Sequence, residues 1–254
     1  MSRRALRRRT LDVPAGARGA GRTRTVAASV IPQEERGRTL REELRALPAL
    51  VGEPPPFDPA EVPAGPHELF LRWFREAVDA EVPEPHAMTL STADDAGLPD
   101  ARVLLLKDLT PEGWWFASDE ASAKGRQLAG NPRAAVTFYW GSLARSVRIR
   151  GEVTHGSRAQ AAEDFLARGA GARAVALVGR SGSPVGRADV DAEIDAALRR
   201  VEADPGLVAE DWSLWCVHAT SVEFWQAHPE RRHVRVRYER PHGGDAWRTA
   251  VLWP

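Results

Sequence analysis

The sequence predicts a mainly β (α+β) fold, a small closed or split β-barrel with peripheral helices, and three observations predict it. Short β-type runs follow one another through tight Gly and Pro turns, the pattern of an antiparallel meander. Helical patterns interrupt these runs without alternating with them, so parallel βαβ units are not supported. No self-similarity of solenoid period runs along the chain.

Residues 1–47 read as an Arg-rich, largely disordered arm. Its first 30 or so residues carry almost no large apolar side chains to offset the entropy of ordering. Between Glu34 and Leu47 the pattern suits a short amphipathic helix. GEPPPFDPAEVPAGP (52–66) holds too much proline for regular structure, so 48–66 reads as a linker or a surface wrap.

The folded domain, 67–254, opens with a helix from His67 to Val82. Its apolar residues Phe70, Trp73, Phe74, Ala77 and Val78 recur at three- and four-residue spacing. Strands follow at 87–93, 101–107, 113–118, 133–140 and 144–155, the last alternating Val147, Ile149 and Val153 against Ser146, Arg148 and Arg150. Helices are expected near 121–129, 157–168 and 187–202. Three last strands are expected at 212–225, in RRHVRVRYE from Arg231, and at 245–253.

The composition narrows the function. With 254 residues, 43% hydrophobic and 28% charged, the chain can build one sizeable core. Thirty-five basic residues balance 35 acidic ones, which argues against a nucleic-acid partner and makes any cationic site local. Cys216 is the single cysteine, and no Cys/His cluster has zinc spacing, so a metal-free intracellular protein is expected. No apolar run reaches the roughly 18 residues that span a bilayer, and no apolar segment follows the arginines at the start. The expectation is a cytoplasmic protein without a membrane partner. GxSxG, HExxH, Walker and GxGxxG motifs are absent, which removes the common serine hydrolases, zincins, P-loop enzymes and Rossmann dehydrogenases.

Cationic residues on strands remain as candidates. Arg102 and Lys107 bracket Val103, Leu104, Leu105 and Leu106, either as strand-end charges or as ligands. Their odd spacing sets them on opposite faces unless a bulge intervenes. FASDEASAKGRQL (116–128) runs from strand to helix through Ser118 and Ser122 with Lys124 in the first turn. A cation there opposes the helix dipole, which suits a phosphate site, although a plain Ser N-cap reads almost as well. In PERRHVRVRYER, Arg231, His233, Arg235 and Arg237 alternate with Val234, Val236 and Tyr238. That is either an exposed charged strand face or a site reading phosphate or carboxylate.

These stretches in order resemble the pyridoxine/pyridoxamine 5′-phosphate oxidases and their phenazine-biosynthesis relatives. They are Arg102 to Lys107, Phe116 to Leu128, Asn131 to Trp140, Arg145 to Gly151, Glu223 to Gln226, Arg231 to Tyr238 and Trp247 to Pro254, and the resemblance spans about 66–254. It implies an FMN-binding split barrel, a homodimer with FMN at the interface, and oxidation of a small molecule by hydride transfer to FMN with O2 as acceptor. Position by position, it implies FMN contacts at Arg102, Val103, Leu104, Leu105, Leu106, Lys107, Ala117, Ser118, Lys124, Ser146, Ser181, Trp225 and Arg235. Arg231 and His233 match the pair that holds substrate over the flavin, and Arg237 matches no functional position.

The departures are as informative. Ala123 stands where the family has an Arg beside the Lys, Ala117 where an aromatic is common, Ser146 for a glutamine, and Ser181-Gly182 for Gln-Ser. At the substrate-phosphate positions stand Lys107, Asp164, Arg168 and Ala172. A carboxylate in place of a tyrosine hydroxyl repels a phosphate. The reading expected is therefore an oxidase of a reduced N-heterocycle or amine without a phosphate. A true pyridoxine/pyridoxamine 5′-phosphate oxidase and a non-catalytic flavin-binding module are the alternatives.

Overall fold

A computed structural model of the chain describes residues 38–50, 54–183, 185–240, 244 and 246–254. The predicted disordered arm lies, up to residue 37, outside the described residues. The chain divides into Met1–Leu47 and Pro48–Pro254. In the first unit, helix α1 (Leu40–Ala46) is closed by a capping box in which Thr39 and Glu42 satisfy each other's backbone N–H groups.

In the second unit eight strands form one antiparallel sheet: β1 (Ala87–Ala93), β2 (Pro99–Thr110), β3 (Gly113–Asp119), β4 (Arg133–Trp140), β5 (Arg145–His155), β6 (Trp212–Gln226), β7 (Val234–Glu239) and β8 (Arg248–Val251). Their order is β3-β2-β1-β4-β5-β6-β7-β8, and a further β3–β6 pairing closes the first six into a barrel. β6 is long enough to serve two partners on one edge. Its first half, Trp212 to Val217, pairs with β3, and its second, Ser221 to Gln226, pairs with β7. The barrel is thus closed at one end and extended by β7–β8 at the other.

Local chemistry explains the joints. Asp94 accepts from the N–H groups of Ala96 (3.0 Å) and Leu98 (2.8 Å), and Gly97 supplies φ +81°, so DDAGLP turns tightly from β1 into β2. Helix α2 (Pro66–Asp79) buries Leu69, Phe70, Trp73 and Ala77. That stripe sits one position towards the N-terminus of the expected one, and Val78 is left 49% exposed. Phe70 packs edge-on against Phe138 (5.0 Å) and Trp73 against Phe224 (5.2 Å), with the buried Arg145 guanidinium 4.2 Å over the Trp73 ring. In the Pro-rich segment Phe57 packs on Trp73 at 4.9 Å, and the carbonyl of Pro63 accepts from the Tyr238 hydroxyl at 2.8 Å.

Helices α3 (Ala123–Gly130), α4 (Arg158–Leu166) and α6 (Arg187–Ala203) lie where the sequence places them. α5 (Ala170–Val178) was not expected. Its sequence opens on glycines, which lower the expectation of a helix, but Ala has the highest helix propensity, and Gly179 ends the helix at φ +66°. Arg173 ties it down by donating to the carbonyls of Pro205 (2.8 Å) and Leu207 (2.7 Å).

One expectation needs correction. The strand expected from Arg231 begins only at Val234. Arg231 adopts φ +65°, its N–H donates to the carbonyl of His228 (2.9 Å), and His233 Nδ1 accepts from the His228 N–H (3.0 Å). The alternating charges therefore divide: Arg231 and His233 belong to a tight turn, and Arg235 and Arg237 to the strand.

Candidate functional site

β2 alternates cleanly. Val103, Leu105 and Lys107 are exposed, whereas Arg102, Leu104 and Leu106 turn to the other face. The register with β3 slips between Leu106 and Asp108, a bulge at Lys107. A cavity of about 500 Å3 opens beside this strand. β2 contributes Val103, Leu104, Leu105 and Lys107 to its wall; β3 contributes Ala117, Ser118 and Asp119; Lys124 of α3 and Arg168 after α4 complete the polar side. Val175 and Val178 of α5, Ser181, and Val190 and Ile194 of α6 make the opposite wall. Nine residues expected at the site thus meet around one space.

Beside the cavity the β3–α3 turn gathers hydroxyls and a cation. Ser122 caps α3, accepting from the Gly125 N–H (3.3 Å) and from Lys124 Nζ (3.1 Å), and its Oγ lies 3.3 Å from that of Ser118. Burial, and next the Arg102 guanidinium, push the Lys124 ammonium below its ordinary pKa. Arg102 itself donates to Thr92 Oγ1 (2.6 Å), Gln127 Oε1 (3.1 Å) and Asp100 Oδ2 (2.7 Å). Asp119 is buried; its Oδ1 accepts from the Ala121 N–H (2.7 Å), Oδ2 has no partner among the described residues, and burial raises its pKa.

On β6, paired across from Asp119, Trp212 organises two charges. Its Nε1 donates to Asp164 Oδ2 at 3.0 Å, and Arg168 stacks 4.1 Å over its ring. Asp164 Oδ1 lies 3.3 Å from Lys107 Nζ. Arg168 Nη1 is buried without a partner among the described residues, and burial lowers the guanidinium pKa.

The remaining expected residues do not line this cavity. Ser146, Trp225 and Arg235 stand opposite one another across β5, β6 and β7, in line with Tyr139 of β4. The next row runs Val103, Thr89, Thr137, Arg148, Glu223 and Arg237, so both groups share one outward face of the sheet. On it Val103 is 68% and Tyr139 64% exposed. Trp225 packs against His233 at 5.2 Å. Buried Glu223 accepts from Arg148 (2.7 Å) and twice from Arg235 (3.0 and 2.7 Å).

Sequence reasoning missed Asp119, Trp212 and the whole α5–α6 wall. Asp119 directly follows Ser118 in the strand-to-helix turn, which was a usable signal. For the wall there was none, because its valines and Ile194 look like ordinary core residues.

A six-stranded antiparallel barrel with outer helices, a cavity against its wall and a strand extension defines a split-barrel ligand-binding protein. The chain belongs to the pyridoxamine 5′-phosphate oxidase family: residues 74–205 match that family, and 212–254 match the pyridoxine 5′-phosphate oxidase C-terminal dimerisation region. It is 37% identical over 194 residues to a pyridoxine/pyridoxamine 5′-phosphate oxidase of Bradyrhizobium, covering 74% of this chain and 88% of the relative. The corresponding protein of Ralstonia pickettii is 40% identical over 198 residues, covering 78% and 92%. Among solved structures it is similar to PhzG from Burkholderia lata in complex with tetrahydrophenazine-1-carboxylic acid, at TM-score 0.73 and 26% identity, over 80% of this chain and 99% of that one. A pyridoxamine 5′-phosphate oxidase-related, FMN binding protein from Nostoc punctiforme shares the fold, at TM-score 0.62 and 18% identity over 75% and 98%. The resemblance noted from the sequence, and the split barrel it implied, therefore hold.

Proposed function

We propose that the chain is an FMN-dependent oxidase acting on a reduced nitrogen heterocycle or amine that carries no phosphate, with O2 as the final acceptor. The observation that carries this reading is the convergence of nine expected residues on one cavity, apolar along β2 and lined elsewhere by Ser118, Asp119, Lys124, Lys107 and Arg168. The donor set fits a phosphate-bearing aromatic cofactor. Lys124, Arg102 and the Ser118 and Ser122 hydroxyls suit an anion at the start of α3, and Val103, Leu104 and Leu105 suit a flat apolar ring. FMN bound there would supply the hydride acceptor. The chain's own contribution is to hold the substrate's reacting carbon close and keep water away.

Arg231 and His233 are assigned to the substrate, and Trp225, Ser146 and Arg235 to FMN. Ser146, Trp225 and Arg235 lie on the outward sheet face beyond the cavity and Arg231 and His233 in the turn before β7, and a second copy of the chain seated there would join the two halves. The matched C-terminal dimerisation region supports that homodimer.

The test is oxygen-dependent peroxide release by the FMN-loaded protein. A dihydrophenazine-type or other reduced N-heterocycle should turn over, and pyridoxamine 5′-phosphate should fail at millimolar concentration. Efficient pyridoxamine 5′-phosphate turnover would instead establish the second reading, a true pyridoxine/pyridoxamine 5′-phosphate oxidase, which the relatives at 37–40% identity favour.

A further inference from the structure

We propose that Asp164 is a specificity-determining residue that acts through Lys107, as a built-in counter-ion that turns the cavity against phosphorylated substrates. The proposal rests on the oxidase reading above and adds to it the residue responsible and the direction in which it can be reversed. Asp164 is held from two sides. Its Oδ2 accepts from Trp212 Nε1 at 3.0 Å, and its Oδ1 lies 3.3 Å from Lys107 Nζ. With its side chain only 15% exposed and that of Lys107 31%, the pair is shielded more than a surface ion pair, so its charges act on each other and on any third charge nearby.

The consequence follows from charge. Lys107 lines the cavity, and its ammonium is already paired with Asp164. A dianionic phosphate arriving at Lys107 meets the Asp164 carboxylate behind it, so attraction and repulsion largely cancel. Arg168 is different. Trp212 supports its plane at 4.1 Å, and among the described residues the guanidinium has no carboxylate within ion-pair distance. It lines the cavity as a single cation, enough for a neutral carbonyl or ring nitrogen or for a single carboxylate. This part of the cavity therefore suits one acceptor rather than a dianion.

Asp164→Asn tests the proposal because it keeps the shape and the acceptor for Trp212 while removing the charge. Binding of 4-deoxypyridoxine and of its 5′-phosphate, which differ only in the phosphate and have no 4′-alcohol or amine to oxidise, is measured calorimetrically on the FMN-loaded protein. The wild type should bind the two within about threefold of each other. Asp164→Asn should favour the phosphate ester at least tenfold, and adding Lys107→Met should return the ratio to the wild-type value. An unchanged ratio in Asp164→Asn, or a wild type that already prefers the ester tenfold, overturns the proposal. Failure of the oxidase reading shows separately, as absence of FMN uptake in wild type and variant alike; the ligand ratio is then read on the flavin-free protein.

Discussion

Glu223→Gln probes the arginine cluster that joins the barrel to its β7 extension. The Glu223 carboxylate, with a side chain 9% exposed, takes Arg148 on one oxygen and both Nε and Nη2 of Arg235 on the other. Gln keeps the shape and one acceptor but removes the charge that two guanidiniums share. Breaking a fully buried ion pair costs about 3–5 kcal/mol and an exposed one about 0–1. Arg235 is 29% and Arg148 52% exposed, so the expected loss lies between these limits, about 2 kcal/mol. For a domain of this size that lowers Tm by roughly 4–8 °C. Scanning calorimetry reads it directly, and Arg237→Ala, which removes an edge pair with Glu239, is the control expected within about 0.5 kcal/mol of wild type. Because Arg235 is also assigned to FMN, Glu223→Gln should weaken flavin binding as well. A Glu223→Gln protein melting within about 1 °C of wild type would refute the reasoning.

Three further predictions concern other parts of the molecule. A Cβ added at Gly125 would lie 2.1 Å from the Glu120 carbonyl, so Gly125→Ala should cost about 1–3 kcal/mol and shift the α3 cap, with lower Tm and weaker FMN uptake. Burial raises Cys216 from 9.0, and Tyr238 from 10.0, each to about 12. The unfolded chain ionises first, so their stabilising effect is full below pH 9 and is lost as pH rises from 9 to 12; melts across that range should show stability falling, with Cys216 unreactive to thiol reagents at pH 8 until unfolding. Arg231→Ala should lower kcat/KM on the order of 100-fold with FMN still bound, and Arg237→Ala should leave turnover nearly unchanged; equal effects would make the two arginines mere surface charge.

Where the sequence carried a strong local signal, the structure follows it. β1 and β4 have the bounds that alternation and turn residues set, and α2 differs by one residue at its start and three at its end. β2 illustrates both success and limit: odd spacing put Arg102 and Lys107 on opposite faces, as they are, whereas the bulge at Lys107 depends on pairing with β3, which no single strand reveals. α5 escaped because glycines at 169 and 171 mask an Ala-rich helix whose anchor, Arg173, binds carbonyls more than 30 residues away. The turn at Arg231 escaped for a similar reason, since strict alternation hides a positive φ fixed by hydrogen bonds among His228, Arg231 and His233. At the site, residue types were legible and their partners were not. Asp164 looked like a charge facing a phosphate, and its engagement with Lys107 and Trp212 is a tertiary fact.

FMN is proposed to sit in the cavity between β2, the β3–α3 turn and the α5–α6 wall. Titrating the purified flavin-free chain with FMN, followed by flavin fluorescence, tests it most directly. Saturable binding is expected, one FMN per chain, weakened at least about tenfold by joint Ser118→Ala and Lys124→Ala substitution. No uptake of FMN, or uptake indifferent to those two changes, would contradict it.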